Sequence, residues 1–527
     1  MLIQSKKIED HSNLNMNKAN LVKPALLTLA AGAFLPALGQ GERRDSEKPN
    51  IVFILADDMG YGDLGCYNPE SKIPTPNMDR LATQGIRFVN AHSPAALSTP
   101  TRYGILTGRY CWRTRLKEGV ILGYDEAPLI ETGRPTIGSV LQGKGYHTGY
   151  IGKWHLGMTW QTRDGYVIRD DKNEWKDNPA IYQENEQHID FTKPVTGGPV
   201  ELGFDYFFGT LGCSTSDPPY CYIEQNQTVG IPSVKTPDEF LKLAGFAPGL
   251  MAPGFSLTGV DPDFTEKAIG FVKSHQDNKP GDPFFLYLAL SSPHNPFLPP
   301  DFAKGKSTEG PRGDLVTVVD WSVGQVLDIL KEYGLDKNTL VILTSDNGAM
   351  KGANGHKSSG NYRGYKANIW DGGHRVPFIA RWPGKIKPGS TSSEVISLSD
   401  MFATFSGMVG TDVAEGSGED SYDVLPAFFG KRQENSDTRV RVFHSGAGYF
   451  AIQQGNWKLI DGTKGSGSGK SASTGSSEVP TGQLYNIAND PYETNDLWDS
   501  RPEIVQEMKV LLETCKSASS THKKPTR

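Results

Sequence analysis

The stretch IVFILADDMG, residues 51–60, decides the fold class of this sequence. Five consecutive apolar residues run directly into an alanine and two adjacent aspartates. A short, uninterrupted apolar run that ends in a polar loop is typical of a strand buried on both faces of a parallel sheet. Residues 51–55 are therefore predicted to form a central strand, with Asp57 and Asp58 just beyond its carboxyl end.

The same pattern recurs further along the chain. Three more apolar runs end in polar or turn residues and lie at 284–290, 339–344 and 376–382. Helical stretches fall between the runs, at 78–85, 264–274 and 315–333. Alternating strands and helices predict an α/β fold with a doubly wound sheet flanked by helices. Such folds bind their ligands beyond the carboxyl ends of the strands.

The last hundred or so residues have a different character. Short strands are predicted at 439–444, 449–460 and 483–487, a Gly/Ser-rich loop at 461–482 and a closing helix at 502–515. We therefore divide the chain into a main α/β domain, 49–415, and a smaller C-terminal α+β subdomain, 416–527, that contains an antiparallel sheet.

The N-terminal residues 1–40 are predicted to be a signal peptide with an upstream extension. Lysines precede an apolar stretch, Ala25–Leu38, which is too short to span a bilayer and ends in small residues. We expect a periplasmic or secreted protein with no membrane span. The net charge of −6 and the lack of a basic block argue against nucleic acid as a partner.

Five cysteines cannot form a closed set of disulfides. Cys213 and Cys221 are close enough in sequence to pin a loop as a disulfide, which the sequence leaves open.

Two groups of oxygen-bearing side chains are predicted to follow strands. Asp57 and Asp58 follow the first strand, and Asp346 and Asn347 follow the run at 339–344. Adjacent carboxylates repel each other unless a cation joins them. Oxygen ligands without Cys or His favour Ca²⁺ or, less well, Mg²⁺ over zinc. Taken alone, an Asp-Asp pair that follows a strand is more typical of a cap or a turn than of a metal site.

Between these groups lies the stretch STPTR at 98–102, followed by LTG at 106–108. This stretch resembles the signature of the type I, arylsulfatase-like sulfatases. In that family a Cys or Ser, followed by x-Pro-x-Arg and a later Leu-Thr-Gly, directs conversion of the first residue to formylglycine. Six further blocks resemble the family, at 75–82, 152–157, 293–296, 372–377, 456–459 and 483–493.

The resemblance implies an alkaline-phosphatase-like fold with a mixed sheet, and a sulfatase that hydrolyses sulfate esters. It implies that calcium is held by Asp57, Asp58, Asp346, Asn347 and an oxygen of residue 98. Residue 98, as formylglycine hydrate, would be the nucleophile, so a formylglycine-generating maturase would be a partner during biogenesis.

Five further side chains receive catalytic roles from the resemblance. Arg102 would hold the hydrate, Lys153 and Lys366 would bind sulfate oxygens, and His155 would assist the formylglycine hydroxyls. His294, helped by Lys366, would protonate the leaving oxygen. These roles make physical sense, because sulfate oxygens need cations around them and an alkoxide is a poor leaving group that needs an acid.

Three residues are candidates for contacts with the substrate: His374, Arg363 and Trp370. His374 is equally compatible with bracing the strand that follows it. The region at 208–224 resembles that of bacterial sulfatases acting on glycans, which suggests an exo-acting carbohydrate sulfatase for galactose- or N-acetylgalactosamine-type sugars.

Position 98 is Ser rather than the commoner Cys, as in the serine-type bacterial sulfatases or in an engineered Cys-to-Ser substitution. The formylglycine mechanism needs the second hydroxyl of the hydrate, whose deprotonation reforms the aldehyde and expels sulfate. Two alternatives therefore stay open. One is a phosphate or phosphonate ester hydrolase of the same superfamily, and the other is an inactive sulfoglycan-binding protein with unmodified Ser98.

Overall fold

The structure is a computed structural model that describes residues 48–124, 127–168, 180–433, 435–462 and 482–521. The predicted signal segment at 1–40 and most of the Gly/Ser-rich loop at 461–482 lie outside these residues. Among the residues that the structure describes, no helix combines the length and apolar character needed to cross a membrane.

A ten-stranded sheet forms the centre of the protein. In chain order its strands are Asn50–Ala56 (β1), Ile86–Phe88 (β2), His147–Lys153 (β3), Tyr206–Thr210 (β4), Tyr222–Glu224 (β5), Gln227–Val229 (β6), Phe284–Ala289 (β7), Thr339–Ser345 (β8), Phe378–Arg381 (β9) and Ser390–Ser392 (β10). Their order in the sheet is β10-β2-β9-β8-β1-β7-β3-β4-β5-β6.

The five strands at the centre, β8, β1, β7, β3 and β4, are parallel to one another. The run at 376–382 was expected to repeat this parallel pattern, but β9 pairs antiparallel with β8. Apolar content does not encode strand direction. The sheet is therefore mixed, and its α/β class is as predicted.

Both faces of β1 are buried, which explains its unbroken apolar sequence. Ile51, Phe53 and Leu55 pack into one hydrophobic cluster, whereas Val52 and Ile54 pack into another on the opposite face. Alternate residues of a strand point to opposite faces, so a strand covered by helices on both sides needs apolar residues throughout.

Ten α-helices accompany the strands in the described part of the chain. They are Pro76–Thr83 (α1), Ser98–Thr107 (α2), Ile137–Gln142 (α3), Ala180–His188 (α4), Val260–Asn278 (α5), Pro311–Glu332 (α6), Asp371–His374 (α7), Met401–Met408 (α8), Leu425–Phe428 (α9) and Pro502–Ser517 (α10). Short 3-10 helices lie at Cys111–Arg113, Pro199–Leu202, Asp238–Lys242, Asp336–Asn338, Leu398–Asp400 and Ser436–Thr438. Residues of α1, α5 and α6 cover one face of the sheet, and residues of α3 and α8 cover the other.

Strand β3 lies at the centre of the sheet, although its sequence HTGYIGK has no long apolar run. Gly152 has φ 118°, and a Cβ there would lie 1.8 Å from the carbonyl oxygen of Ala289. Close approach to β7 therefore requires glycine. The same requirement removes the apolar side chains by which a buried strand is recognised in a sequence.

The C-terminal residues form the predicted antiparallel sheet, with four strands: Val440–His444 (β11), Phe450–Gln454 (β12), Trp457–Ile460 (β13) and Gln483–Asn486 (β14). The segment predicted as one strand at 449–460 is a hairpin of two. Helix α10 packs on this sheet through Val505, Met508 and Leu512.

Four further short strands form two separate two-stranded sheets. Ala91–His92 pairs with Ile396–Ser397, and Val234–Lys235 pairs with Leu250–Met251. All five cysteines are free, so Cys213 and Cys221 do not form a disulfide.

Candidate active site

The carboxyl ends of four parallel strands bring the predicted site residues together. Asp57 and Asp58 follow β1, Lys153 ends β3, and Asp346 follows β8. His294 lies in the loop after β7. This convergence is the consequence of parallel strand direction, because every strand of such a set ends at the same edge.

Ser98 is the first residue of helix α2 and points at this edge. Its Oγ donates a hydrogen bond to Asp57 Oδ1 at 3.1 Å and lies 3.5 Å from Asn347 Oδ1. Three stretches that are far apart in the sequence therefore meet at residue 98.

The carboxylates are held in fixed positions. The Asp58 backbone N–H donates to Asp346 Oδ1 at 3.2 Å, and Asn347 Nδ2 donates to Asp58 Oδ1 at 2.7 Å. Asp58 adopts φ 68°, a left-handed conformation that a non-glycine residue adopts at a cost of about 1–3 kcal/mol. The surrounding structure holds this strained turn, which places two successive carboxylates at one site.

Three cations surround the carboxylates. Lys153 Nζ contacts Asp57 Oδ2, and Lys366 Nζ donates to Asp58 Oδ2 at 2.7 Å. Arg102 donates from Nε and Nη2 to Asp346 and from Nη1 to the carbonyl oxygen of Lys153 at 2.9 Å. The positive charges of Lys366, Lys153 and Arg102 formally balance the three aspartates.

His294 lies beside Lys366. Its Nδ1 is 2.6 Å from the backbone oxygen of Asn295, which fixes Nδ1 as the donor there. Its Nε2 lies 3.9 Å from Asp58 Oδ2 and 3.7 Å from Cys213 Sγ. The imidazole therefore presents Nε2 to the cluster of charges, where it can give or receive a proton.

Burial and charge oppose each other in this cluster. Burial alone would raise the pKa of Asp57, but the charges of Lys153, His294 and Arg102 outweigh it and hold that pKa well below its usual range. Burial, joined by the Asp57 charge, raises the pKa of Asp346 even though Arg102 opposes the effect. Burial lowers the pKa of His294, and the neighbouring Lys366 lowers it further.

The chemistry of the donors fits a hard divalent ion. Asp57, Asp58, Asp346 and Asn347 are all buried, and the contacts of Asp58 with Asp346 and Asn347 bring three carboxylates and an amide oxygen into one group. Oxygen donors of this kind are the ligands of Ca²⁺ and Mg²⁺. A divalent ion would act with the side-chain cations in relieving the repulsion among these carboxylates.

His155 is buried at the same edge, with φ 58°. Neither of its ring nitrogens has a hydrogen-bond partner among the described residues, and Asp217 Oδ2 is 4.0 Å from Nε2. Asp217 and Cys213 were not among the residues predicted for the site. The signal was present, because both lie in a polar turn directly after β4, as Asp57 does after β1.

The three residues predicted to contact the substrate make contacts with other side chains of the protein. His374 is fully buried, with Nδ1 3.0 Å from His92 Nδ1 and Nε2 3.1 Å from Lys458 Nζ. This position favours the alternative that His374 braces the following strand. Trp370 is buried and donates to Gln483 Oε1 at 2.9 Å, while the Arg363 guanidinium lies 4.0 Å from the centre of the Trp370 ring. The structure does not join these residues to the cluster around Ser98.

The fold agrees with the comparisons with known proteins. A model of the sulfatase family matches residues 49–411, so the chain belongs to the sulfatase family and is an enzyme that hydrolyses sulfate esters. The predicted family, fold class and reaction are thereby confirmed.

Three relatives illustrate the similarity. The chain is 33% identical to an N-acetylgalactosamine-6-O-sulfatase of Bacteroides thetaiotaomicron, over 93% of this chain and 99% of that protein. It is 31% identical to human arylsulfatase A, over 92% of this chain and 89% of that protein. A solved sulfatase structure, from work on the metabolism of multiple glycosaminoglycans by Bacteroides thetaiotaomicron, matches with a TM-score of 0.75 at 31% identity, over 90% of this chain and 100% of that chain.

Proposed function

We propose that this sulfatase removes 6-O-sulfate from N-acetylgalactosamine- or galactose-type residues of a sulfated glycan, acting on chain ends during glycan degradation. The observation that carries the sugar assignment is the similarity to an N-acetylgalactosamine-6-O-sulfatase along 93% of this chain. Similarity over this length includes the loops around the site, where residues that select a substrate concentrate.

Residue 98 is the proposed nucleophile. In support, its side chain is 2% exposed and lies at the N-terminus of a ten-residue helix beside Asp57. The N-terminal end of a helix stabilises negative charge, which here would be the charge of the sulfate group and of the attacking oxygen. Formylglycine made from Ser98, or from Cys in a native gene, would supply a geminal diol that can both accept sulfate and release it.

The surrounding side chains have separate tasks in this proposal. Lys153 and Lys366 bind sulfate oxygens, and Arg102 holds residue 98 through its helix and through Asp346. His294 protonates the leaving sugar oxygen from Nε2, since its Nδ1 is committed to the backbone. Preorganised charges and a placed acid are the two largest contributions expected for such a transfer.

We propose Ca²⁺ as the resident metal ion, with Mg²⁺ as the weaker candidate. Asp57, Asp58, Asp346, Asn347 and an oxygen of residue 98 would hold it, and the bound ion would supply positive charge to the nucleophile and the sulfate. Three carboxylates and three side-chain cations cancel formally, so a divalent ion leaves the site positive. A positive site suits an anionic substrate and a doubly charged sulfate product.

The proposal includes a maturase and an export route. Conversion of Ser98 to formylglycine requires a formylglycine-generating enzyme, and the predicted signal peptide implies that the mature protein acts in the periplasm or outside the cell. A fractionation experiment on the source organism checks the location: the protein is expected in the periplasmic or medium fraction, and recovery from the cytoplasm alone would contradict export.

A panel of esters tests the proposed function. Enzyme coexpressed with a maturase is assayed on N-acetylgalactosamine 6-sulfate, its 4-sulfate isomer, galactose 6-sulfate and N-acetylgalactosamine 6-phosphate. We expect kcat/KM to be at least about tenfold higher for a 6-sulfate than for the 4-sulfate or the phosphate. A tenfold ratio corresponds to a difference of about 1.4 kcal/mol in free energy. Preference for the phosphate ester would contradict the proposal, and binding without turnover would support the alternative of a sulfoglycan-binding protein.

A further inference from the structure

The imidazole of His155 has a fixed backbone and unsatisfied ring nitrogens. Its backbone N–H donates to the Leu211 carbonyl oxygen at 2.8 Å, and its own carbonyl accepts from Thr99 Oγ1 at 2.9 Å. Within the described residues, neither Nδ1 nor Nε2 has a hydrogen-bond partner, although both are buried. Buried polar groups are rarely left unpaired, so the ring is expected to have a partner when the enzyme works.

Asp217 is placed to be that partner. Its Oδ2 lies 4.0 Å from His155 Nε2, so a small rotation of the imidazole brings the two atoms into hydrogen-bond distance. The carboxylate is itself held in place, because Oδ2 accepts from the Cys213 backbone N–H at 3.0 Å. The Asp217 backbone N–H also donates to the Cys213 carbonyl oxygen at 3.0 Å, which closes a tight turn after β4.

We propose that Asp217 is a positioning residue for His155: its carboxylate accepts the Nε2–H of the imidazole and leaves Nδ1 free to take a proton. A carboxylate that binds one ring nitrogen selects the tautomer and orients the ring, and it stabilises the imidazolium that forms when the other nitrogen is protonated. Such a group acts through histidine and does not touch the substrate.

This inference rests on the proposed function and deepens its release step. The hydroxyl that remains on residue 98 gives its proton to His155 Nδ1, and the O–H electron pair becomes the second bond of the aldehyde C=O. The bond between that carbon and the sulfate oxygen breaks, and its electron pair leaves with the sulfate dianion. The Asp217 carboxylate lowers the free energy of the resulting imidazolium.

A purely structural role for Asp217 is the competing interpretation, because the same carboxylate closes its own turn through the Cys213 N–H. Asp205 provides a matched control. It lies just before the opposite end of the same strand, β4, and its carboxylate accepts the Thr148 backbone N–H at 2.9 Å. Either substitution weakens a hydrogen bond to a backbone N–H near one end of β4, but of these two aspartates Asp217 is the one that faces His155.

The first test measures the tautomer of the His155 imidazole directly and does not depend on turnover. The chain with unmodified Ser98 is labelled with ¹⁵N-histidine, and the His155 ring signals are assigned by comparison with His155→Gln. We expect the Nε2-protonated tautomer in the parent and a mixed or Nδ1-protonated tautomer in Asp217→Asn, with no change in Asp205→Asn. A parent ring protonated on Nδ1, or a ring unchanged by Asp217→Asn, would overturn the proposal.

The second test uses enzyme coexpressed with a maturase. For Asp217→Asn we expect kcat to fall about 10–100-fold while KM changes less than about threefold, because the residue acts on a proton transfer and not on sulfate binding. Asp205→Asn is expected to keep kcat within about twofold. Equal losses of kcat in the two variants would identify a structural role only. If the parent itself hydrolyses no sulfate ester, the proposed function fails, while the tautomer measurement still decides the role of Asp217.

Discussion

Arg102 donates two hydrogen bonds, from Nε at 3.2 Å and from Nη2 at 2.9 Å, to one oxygen of Asp346. Both side chains are fully buried. Arg102 belongs to the helix that begins with residue 98, and Asp346 follows strand β8. The ion pair therefore ties the helix of the proposed nucleophile to the carboxylates that are proposed to bind calcium.

Replacing this arginine is expected to destabilise the fold as well as the site. Arg102→Leu leaves Asp346 buried without its partner, which typically costs about 3–5 kcal/mol of unfolding free energy. The control is Arg432→Gln, because Arg432 pairs with Asp437 while both are about 70% exposed, and the loss should stay below about 1 kcal/mol. Urea unfolding at pH 7 measures the free energy of unfolding of both variants. A decrease below about 1 kcal/mol for Arg102→Leu would show that Asp346 finds another partner.

The role of His294 predicts a dependence on the leaving group. A sugar alkoxide needs protonation as it departs, whereas 4-nitrophenolate leaves without help. For His294→Gln we expect kcat/KM to fall about 10²–10⁴-fold on a sugar sulfate and far less on 4-nitrophenyl sulfate. Lys153→Gln is the comparison, because loss of a sulfate contact should affect both substrates alike. Equal losses for His294→Gln on the two substrates would remove it as the general acid.

The proposed metal site predicts stabilisation by calcium. After treatment with a chelator, added Ca²⁺ should raise the thermal unfolding midpoint, since ligand at 100 times its Kd stabilises a fold by about 2.7 kcal/mol. The Asp346→Asn variant should need a higher calcium concentration for the same shift, whereas Asp301→Asn, at an exposed residue, should match the parent. No shift with Ca²⁺, or a larger shift with Mg²⁺, would contradict the assignment.

A histidine pair far from the carboxylates predicts acid sensitivity. His147 Nδ1 lies 2.9 Å from His275 Nδ1. Burial, together with Lys279 and His275, lowers the pKa of His147 to about 4. The folded state therefore favours the neutral imidazole of His147. The contribution of this group to the free energy of unfolding is complete above about pH 6.5 and is lost as the pH falls toward 4.

Because His147 is half-exposed, solvent screening limits this effect to about 1 kcal/mol. The His147→Gln variant should show a flatter dependence of the unfolding free energy on pH between 6.5 and 4 than the parent does. Parallel curves for the two proteins would exclude His147 as the titrating group.

Much of the site could be predicted because strand ends are visible in the sequence. The buried strand β1 has an apolar run, and parallel strands end at one edge, so the meeting of Asp57 with Asp346 followed from pattern alone. Residue 98 was proposed as the nucleophile because the local stretch around it resembles the sulfatase signature. None of these inferences needed knowledge of how the chain packs beyond the sheet.

Other features could not be predicted, for physical reasons. Strand β3 requires glycine where it approaches β7, so it lacks the apolar run of a buried strand. The antiparallel direction of β9 depends on the path of the chain after Asn347, which hydrophobic patterning does not record. His374 meets Lys458 across a long sequence separation, so its buried bracing contact was indistinguishable from a substrate contact until the fold was known.

The state of residue 98 tests the central claim most directly. The protein is expressed with and without a maturase, and the mass of the tryptic peptide that contains position 98 is measured by mass spectrometry. Sulfatase activity is measured on the same samples. We expect a mass lower by about 2 Da, the loss of two hydrogens that turns a hydroxymethyl group into an aldehyde, with activity proportional to the converted fraction. Full activity in protein whose Ser98 is entirely unmodified would contradict a formylglycine nucleophile.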